Sequence, residues 1–177
     1  GRVKTLHPRI HAGILAVRDN PQHMRDLEAA GIPTIDLVVV NLYPFARTAA
    51  DPAQSLEDVV EMIDVGGPSM VRGAAKNWEH VGVVVDAADY PAVLAAIRSE
   101  RSLPRTLRLA LAAKAFRHTA AYDRAVGAYL DRVASGSVDR SAELPRALDL
   151  SFEKTAELVY GENPHQKAAF YRDPDAG

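Results

Sequence analysis

Apolar and polar positions follow two different periods along this chain, and the places where the period changes mark its elements. Ile35 to Val40 is a short, almost continuous apolar run rich in β-branched residues, which predicts a central strand covered on both faces. Val81 to Val85 repeats the pattern. Between and beyond these runs the apolar spacing is helical. Asn20 and Pro21 open a helix that ends before Gly31, with Asn as cap and Pro as first helical residue. Ser55 caps a helix through Met62, and Asp58 at its third position mimics a capping box. Asp89 and Pro91 open another that runs to about Ser99. Strands alternating with helices predict an α/β layer with a mainly parallel sheet.

The remaining segments read less regularly. Pro8 argues against a helix through the first stretch, so residues 2–11 are expected to be a loop or irregular strand leading into a short strand at Gly13 to Val17. Pro104 to about Val133 predicts one long helix or a broken pair. Its stripe of Thr119, Tyr122, Val126, Tyr129 and Val133 reads as core or subunit contact, with His118 beside it as a structural histidine. Residues 135–146 (SGSVDRSAELPR) have the composition of a linker. A second unit then begins, with a strand within 150–160, a polar turn over Tyr160 to Gln166, and a strand from Ala168 to Tyr171.

Composition narrows the function classes. The 177 residues suffice for one well-buried domain and part of a second. A net charge of −2 argues against a general nucleic-acid binder, so any phosphate site must be local. The absence of cysteine excludes disulfides and thiolate metal sites and suits a reducing cytoplasm. No run approaches the apolar length of a membrane helix, and no signal peptide is visible. The chain starts at Gly1 without an initiator Met and is expected to be a fragment.

The candidate chemistry centres on residues 63–77, IDVGGPSMVRGAAKN. Gly66-Gly67-Pro68-Ser69 turns the chain sharply into a helix, a turn expected to present backbone N–H groups to an anion at the positive end of the helix dipole. Asp64 stands at its lip as a proton acceptor. Ser69, Arg72 and Lys76 share one helix face, which calls for an anionic ligand or a carboxylate partner, or is simply a solvated basic face. Asn41 and Tyr43 follow the first strand, where ligands collect in open α/β sheets, though a Tyr before Pro can also merely pack. His7 and His11 have metal-pair spacing, but no third ligand follows nearby.

Five strings, in order, carry a resemblance: GRVKTLHPRIHAGIL, DLVVVNLYPF, IDVGGPSMVRGAAKN, KAFRHTAAYD and YGENPHQKAAFY. Together they closely resemble the bifunctional AICAR transformylase/IMP cyclohydrolase family of purine biosynthesis, over nearly the whole chain. The resemblance implies a cyclohydrolase domain of methylglyoxal-synthase-like α/β fold over residues 1–150, lacking its N-terminal part, and the start of an α+β transformylase domain over 151–177. It implies catalytic positions at Lys4, Tyr43, Asp64 and Lys76, and substrate contacts at Arg2, Val3, Lys4, Thr5, Asn41, Leu42, Asp64, Val65, Gly66, Gly67 and Tyr160. Where the family has Arg before the tyrosine of YGENPHQ, this chain has Val159, which cannot pair with phosphate.

In the family reaction the carboxamide nitrogen of formyl-AICAR attacks the formyl carbon and water is lost to give IMP. On this resemblance Lys76 donates a proton to the departing oxygen, Asp64 receives or hydrogen-bonds the amide proton, Tyr43 orients the formyl group and Lys4 offsets negative charge. No cofactor or metal is expected for ring closure; 10-formyltetrahydrofolate is the co-substrate of the transformylase reaction. AICAR, formyl-AICAR and IMP are the expected small-molecule partners, and a cytoplasmic homodimer is expected, without nucleic acid or membrane. The family's Ser-Lys turn and Ser-Gly-Gly-Thr loop would lie upstream of Gly1, so the fragment alone is expected to be inactive. Two other readings are a non-catalytic phospholigand-binding regulatory module and a structural fragment held in a homodimer. Tyr43 and Asp64 together favour the enzyme over the module.

Overall fold

The computed structural model describes residues 5–136, 150 and 152–173. Contacts divide the chain into two compact units, Gly1–Ser137 and Val138–Gly177. In the first the elements run α1 (Pro8–Leu15), α2 (Pro21–Ala29), β1 (Leu37–Val39), α3 (Phe45–Ala50), α4 (Leu56–Glu61), α5 (Gly66–Lys76), β2 (Gly82–Val84), a 3-10 turn (Ala87–Asp89), α6 (Tyr90–Glu100) and α7 (Arg105–Ala134). The second holds β3 (Glu153–Leu158) and β4 (Ala168–Arg172), an antiparallel pair closed by a turn in which the Gly161 and Gln166 N–H groups donate to Gln166 O and Asn163 O.

Strands β1 and β2 pair in parallel, Val38 opposite Val83. All three residues of β2 are buried, as expected of a strand covered on both faces. β1 departs from that expectation, because Val39 is 49% exposed while Val38 is buried. Helices α5 and α7 supply the main apolar cover: Val71, Ala74, Ala75, Ala112 and Ala115 pack with Val38, Val81, Val83 and Val85. The small residues let the helices come close to one another and to the sheet.

The start of the chain corrects the sequence reading. Residues 8–15 form a helix, not a loop leading into a strand at Gly13 to Val17. Pro8 sits in the first turn, where a missing N–H costs nothing, and the His7 imidazole caps the helix by accepting from the Arg9 N–H at 3.2 Å. Ile10 and Ile14, four apart, then reach the core together. Other boundaries hold. Asn20 caps α2, and Ser55 and Asp58 form the reciprocal capping box of α4. Gly31 ends α2 at φ 59, and the Arg9 guanidinium donates to the exposed carbonyls of Ala30 (2.9 Å) and Gly31 (2.6 Å).

α7 is one continuous 30-residue helix. Its Thr119 is fully buried and its Tyr122 and Tyr129 pack edge-on against Phe45, while Val133 is 43% exposed, so the apolar stripe leaves the core at its C-terminal end.

The chain after α5 is fastened to α1 by one buried polar group. Asn77 donates through its side-chain amide to Ile14 O (2.8 Å) and Ala16 O (3.0 Å). Asn77→Leu would leave both carbonyls without that donor, so a loss of about 2–4 kcal/mol in unfolding free energy is expected. Denaturant titration checks it. A variant as stable as wild type would mean that water replaces the amide.

Candidate active site

The site is built where β1 delivers the chain to the carboxyl ends of the strands. The Val40 N–H still donates to Val84 O at 3.0 Å, and the chain then leaves the sheet at Asn41. Phe45 anchors the turn. Its ring is 1% exposed and stands edge-on to Tyr122 and Tyr129, at 6.1 and 5.7 Å between centroids. With Phe45 held inward, Tyr43 points outward and is 54% exposed, so it does not merely pack. A cavity of about 400 Å³ opens here, lined by Asn41, Leu42, Tyr43, Arg47, Val85, His118 and Tyr122 among others.

Beside it lies the start of α5. The Asp64 carboxylate accepts the Gly67 N–H at 2.8 Å, and the Asp64 N–H donates to Tyr122 Oη, also at 2.8 Å. Tyr122 Oη in turn donates to Met62 O at 2.9 Å. Burial raises the Tyr122 pKa above its ordinary value; the Asp64 N–H opposes that, and the negative charges of Asp64 and Asp123 add to it. The phenol therefore stays neutral and keeps donating across the physiological range.

The two glycines are there for space. A Cβ on Gly66 would overlap the Thr5 hydroxyl, and one on Gly67 would overlap the Asp64 carboxylate and come within 2.9 Å of Leu42 Cδ2. Thr5, Leu42, Asp64, Gly66 and Gly67 thus meet at one point, as the sequence grouped them. The turn offers fewer N–H groups than expected. Asp64 takes that of Gly67, and the Ser69 N–H donates to Val65 O at 3.3 Å. Val65, 59% exposed, caps the helix without a side-chain bond.

Lys76 stands apart. α5 is unbroken from Gly66 to Lys76, and a rise of about 1.5 Å per residue puts its ends about 15 Å apart. Lys76 is exposed in the last turn, where a cation suits the negative end of the helix dipole. Of its supposed face-mates, Ser69 donates to Val65 O, and Arg72 lies 3.8 Å from the Asp123 carboxylate, the carboxylate partner that the spacing allowed. His7 and His11 are engaged locally, His11 Nε2 lying 3.2 Å from Thr5 O. Arg2, Val3, Lys4 and nearly all of the linker segment fall outside the described residues. In the second unit Tyr160 is 56% exposed and Val159 is 96% exposed.

Sequence reasoning gives His118 a structural part and Tyr122 a place in the apolar stripe, and does not single out Lys114; the structure puts His118 and Tyr122 at the cavity. Positions 114, 118 and 122 recur every four residues and so share a face of α7 one turn apart. That face looks at the carboxyl ends of the strands. His118 and Tyr122 line the cavity, and Lys114 Nζ binds Asp86 (2.7 Å) and Asp89 (2.8 Å) in the turn after β2. The hydrogen bond from Lys114 is the largest cause holding the Asp86 carboxyl below its usual 3.8, followed by the Ala88 N–H, with smaller help from the charges of Lys114 and His118. The same bonds raise Lys114 above 10.5.

The sign of the pH dependence follows. The depressed Asp86 contributes stability that is complete above pH 3.8 and lost as pH falls through its lower folded value. The raised Lys114 contributes below pH 10.5 and fades as pH rises through its higher folded value. Lys114→Met should flatten both limbs of the melting temperature plotted against pH. Unchanged limbs would show that the pair is too well solvated to matter.

Comparison with known proteins places this geometry in a family context. The family model described as the AICARFT/IMPCHase bienzyme matches residues 74–177. A bifunctional purine biosynthesis protein PurH of Neisseria meningitidis serogroup A is 53% identical over 184 residues, covering 100% of this chain and 34% of that protein. Its counterpart in Shouchella clausii is 55% identical over 172 residues, covering 97% of this chain and 32% of that protein. The chain thus spans about a third of the length of these relatives. Among solved structures, the crystal structure of ForH is similar at a TM-score of 0.62 and 43% identity, over 73% of this chain and 68% of that one.

Proposed function

The chain belongs to the AICARFT/IMPCHase bienzyme family, and from that premise we propose that its first unit carries the IMP cyclohydrolase site, closing the ring of formyl-AICAR to IMP with loss of water. The observation that carries the reading is the meeting of Leu42 and Asp64 at Gly67, which brings the start of α5 against the turn whose Asn41, Leu42 and Tyr43 line the cavity. Ring closure needs a poor nucleophile, an amide nitrogen, held against the formyl carbon while protons move. Asp64, fixed at its backbone by Tyr122 and at its carboxylate by Gly67, is the proposed acceptor for the amide proton. Tyr43, exposed at the cavity edge, orients the formyl oxygen. Thr5, Asn41, Leu42, Val65, Gly66 and Gly67 form the proposed contact surface for the nucleotide, with Arg2, Val3 and Lys4 added from the resemblance.

Lys76 has a different proposed part. It is exposed at the far end of α5 from Asp64, so its proposed part is a contact with the substrate away from the Asp64 end. Lys76→Ala is then expected to act mainly on the Michaelis constant.

The wider assignments are proposals of the same kind. Residues 1–150 correspond to a methylglyoxal-synthase-like cyclohydrolase domain, and 151–177 to the beginning of a transformylase domain that takes formyl from 10-formyltetrahydrofolate to AICAR, with Tyr160 as its substrate contact. A cytoplasmic homodimer fits the exposed Leu109 and Phe116, seven residues apart on α7 and so on one face. Tyr43→Phe in the full-length protein tests the site. It keeps the ring and removes the hydroxyl, so kcat for IMP formation should fall roughly a hundredfold with the melting temperature unchanged. Turnover within a few-fold of wild type would remove Tyr43 from the chemistry.

A further inference from the structure

We infer that His118 is a further catalytic residue of this site, the acid–base group that shuttles a proton to the leaving oxygen when water is expelled. The inference rests on the ring-closing function proposed above. Three observations place it. His118, carried on α7, lines the cavity that Asn41 and Tyr43 also line. It lies one helical turn before Tyr122, whose hydroxyl bridges Met62 O and the Asp64 N–H, so the helix that presents the imidazole also sets the position of Asp64. It lies one turn after Lys114, whose ammonium is tied to Asp86 and Asp89 at the carboxyl end of β2. α7 is therefore fixed at both flanks of His118, and the ring is carried on a rigid element.

The chemistry has a role that an imidazole suits among the described residues lining the cavity. Attack of the carboxamide nitrogen forms the new C–N bond and a ring-closed adduct carrying a hydroxyl on the former formyl carbon. To finish, the C–O bond must break with its electron pair going to oxygen, the oxygen must gain a proton and leave as water, and the adjacent ring N–H must give up its proton as the C=N bond forms. An imidazolium that gives one proton to the oxygen and takes one back from the ring nitrogen ends as it began, so the step balances without another reagent. Imidazole is the side chain best suited to both halves near neutral pH. Lys76, the donor implied by the resemblance, lies at the other end of α5, about 15 Å along the helix from the Asp64 end, and His118 would act in addition to it. The charged and titratable groups around His118 are Asp86 beyond β2, Lys114 and Tyr122 on its own helix, and Arg47 and Tyr43 across the cavity. Arg47 and Tyr43 offer hydrogen-bond donors, and the Asp86 carboxylate is taken up by Lys114.

The test uses the full-length protein and purified formyl-AICAR. His118→Ala and His118→Asn are compared with wild type for IMP formation between about pH 5 and pH 9, with thermal unfolding as the check on folding. The expected result is a loss of kcat of roughly a hundredfold or more with the Michaelis constant little changed, disappearance of the wild-type ionisation that falls in the imidazole range, and partial recovery of the Ala variant on adding free imidazole. Rescue is the signature that a packing role would not produce. Turnover within a few-fold of wild type in both variants, or a loss confined to the Michaelis constant and unrelieved by imidazole, would overturn the assignment. Wild-type protein that forms no IMP would instead overturn the ring-closing function beneath it. If His118→Ala fails to fold, the Asn variant decides.

Discussion

Gly66→Ala is expected to destabilise the protein by roughly 1–3 kcal/mol and to depress ring closure at the same time. In most helices the same substitution helps, because alanine is preferred over glycine by about 1 kcal/mol. Here space decides the sign. The new methyl would overlap the Thr5 hydroxyl and press on Thr5 Cβ at 3.1 Å, and Thr5 is part of the proposed contact surface. Either Thr5 moves or the first turn of α5 does, and the second displacement carries the Asp64–Gly67 hydrogen bond with it. The two are separable by a double-mutant cycle. Thr5→Ala removes the hydroxyl and should recover part of the Gly66→Ala loss, a coupling of at least about 0.5 kcal/mol. A Gly66→Ala variant that melts at or above the wild-type temperature would show that the close approach is not what holds this turn.

Asp64→Asn should leave the fold intact and remove most of the activity. The amide oxygen of Asn can still accept the Gly67 N–H, and the backbone bond to Tyr122 does not involve the side chain, so the melting temperature should hold. What is lost is the negative charge and the ability to take a proton. General acid–base groups contribute roughly 10²–10⁴ in rate, so kcat for IMP formation should fall by about that factor while the Michaelis constant changes little. If activity survived within a few-fold, Asp64 would be a structural cap of α5 and the proton acceptor would have to be another group.

The strands and most helix starts were legible because local chemistry specified them. β-branched runs gave β1 and β2, and Asn20, Ser55 and Asp58 marked their helices. α1 escapes a reading that treats Pro8 as a breaker, because the first turn is where a helix tolerates proline best. The site was half legible. Asp64, Gly66 and Gly67 are neighbours in sequence, and Asn41 with Tyr43 follows a strand, so those groupings come from local rules and the strand-end rule, while Leu42 and Thr5 enter only through the family resemblance. His118 and Tyr122 were not legible as site residues, because which face of a 30-residue helix meets the strand ends is a tertiary fact. Only the recurrence of Lys114, His118 and Tyr122 at every fourth position hinted at a polar stripe beside the apolar one. Lys76 is a different case. Its string is shared with the family, but the unbroken helix separates it from the Gly-Gly turn that precedes it.

The most direct test of the central claim is to give the full-length protein formyl-AICAR and follow the appearance of IMP against the uncatalysed reaction. A cavity that holds the amide against the formyl group and moves its protons should yield IMP far above the uncatalysed rate, with the excess removed when Tyr43→Phe and Asp64→Asn are combined. Ring closure no faster than in buffer by a folded protein, or an excess that the double variant leaves untouched, would contradict the placement of the reaction at the carboxyl end of β1 and the start of α5.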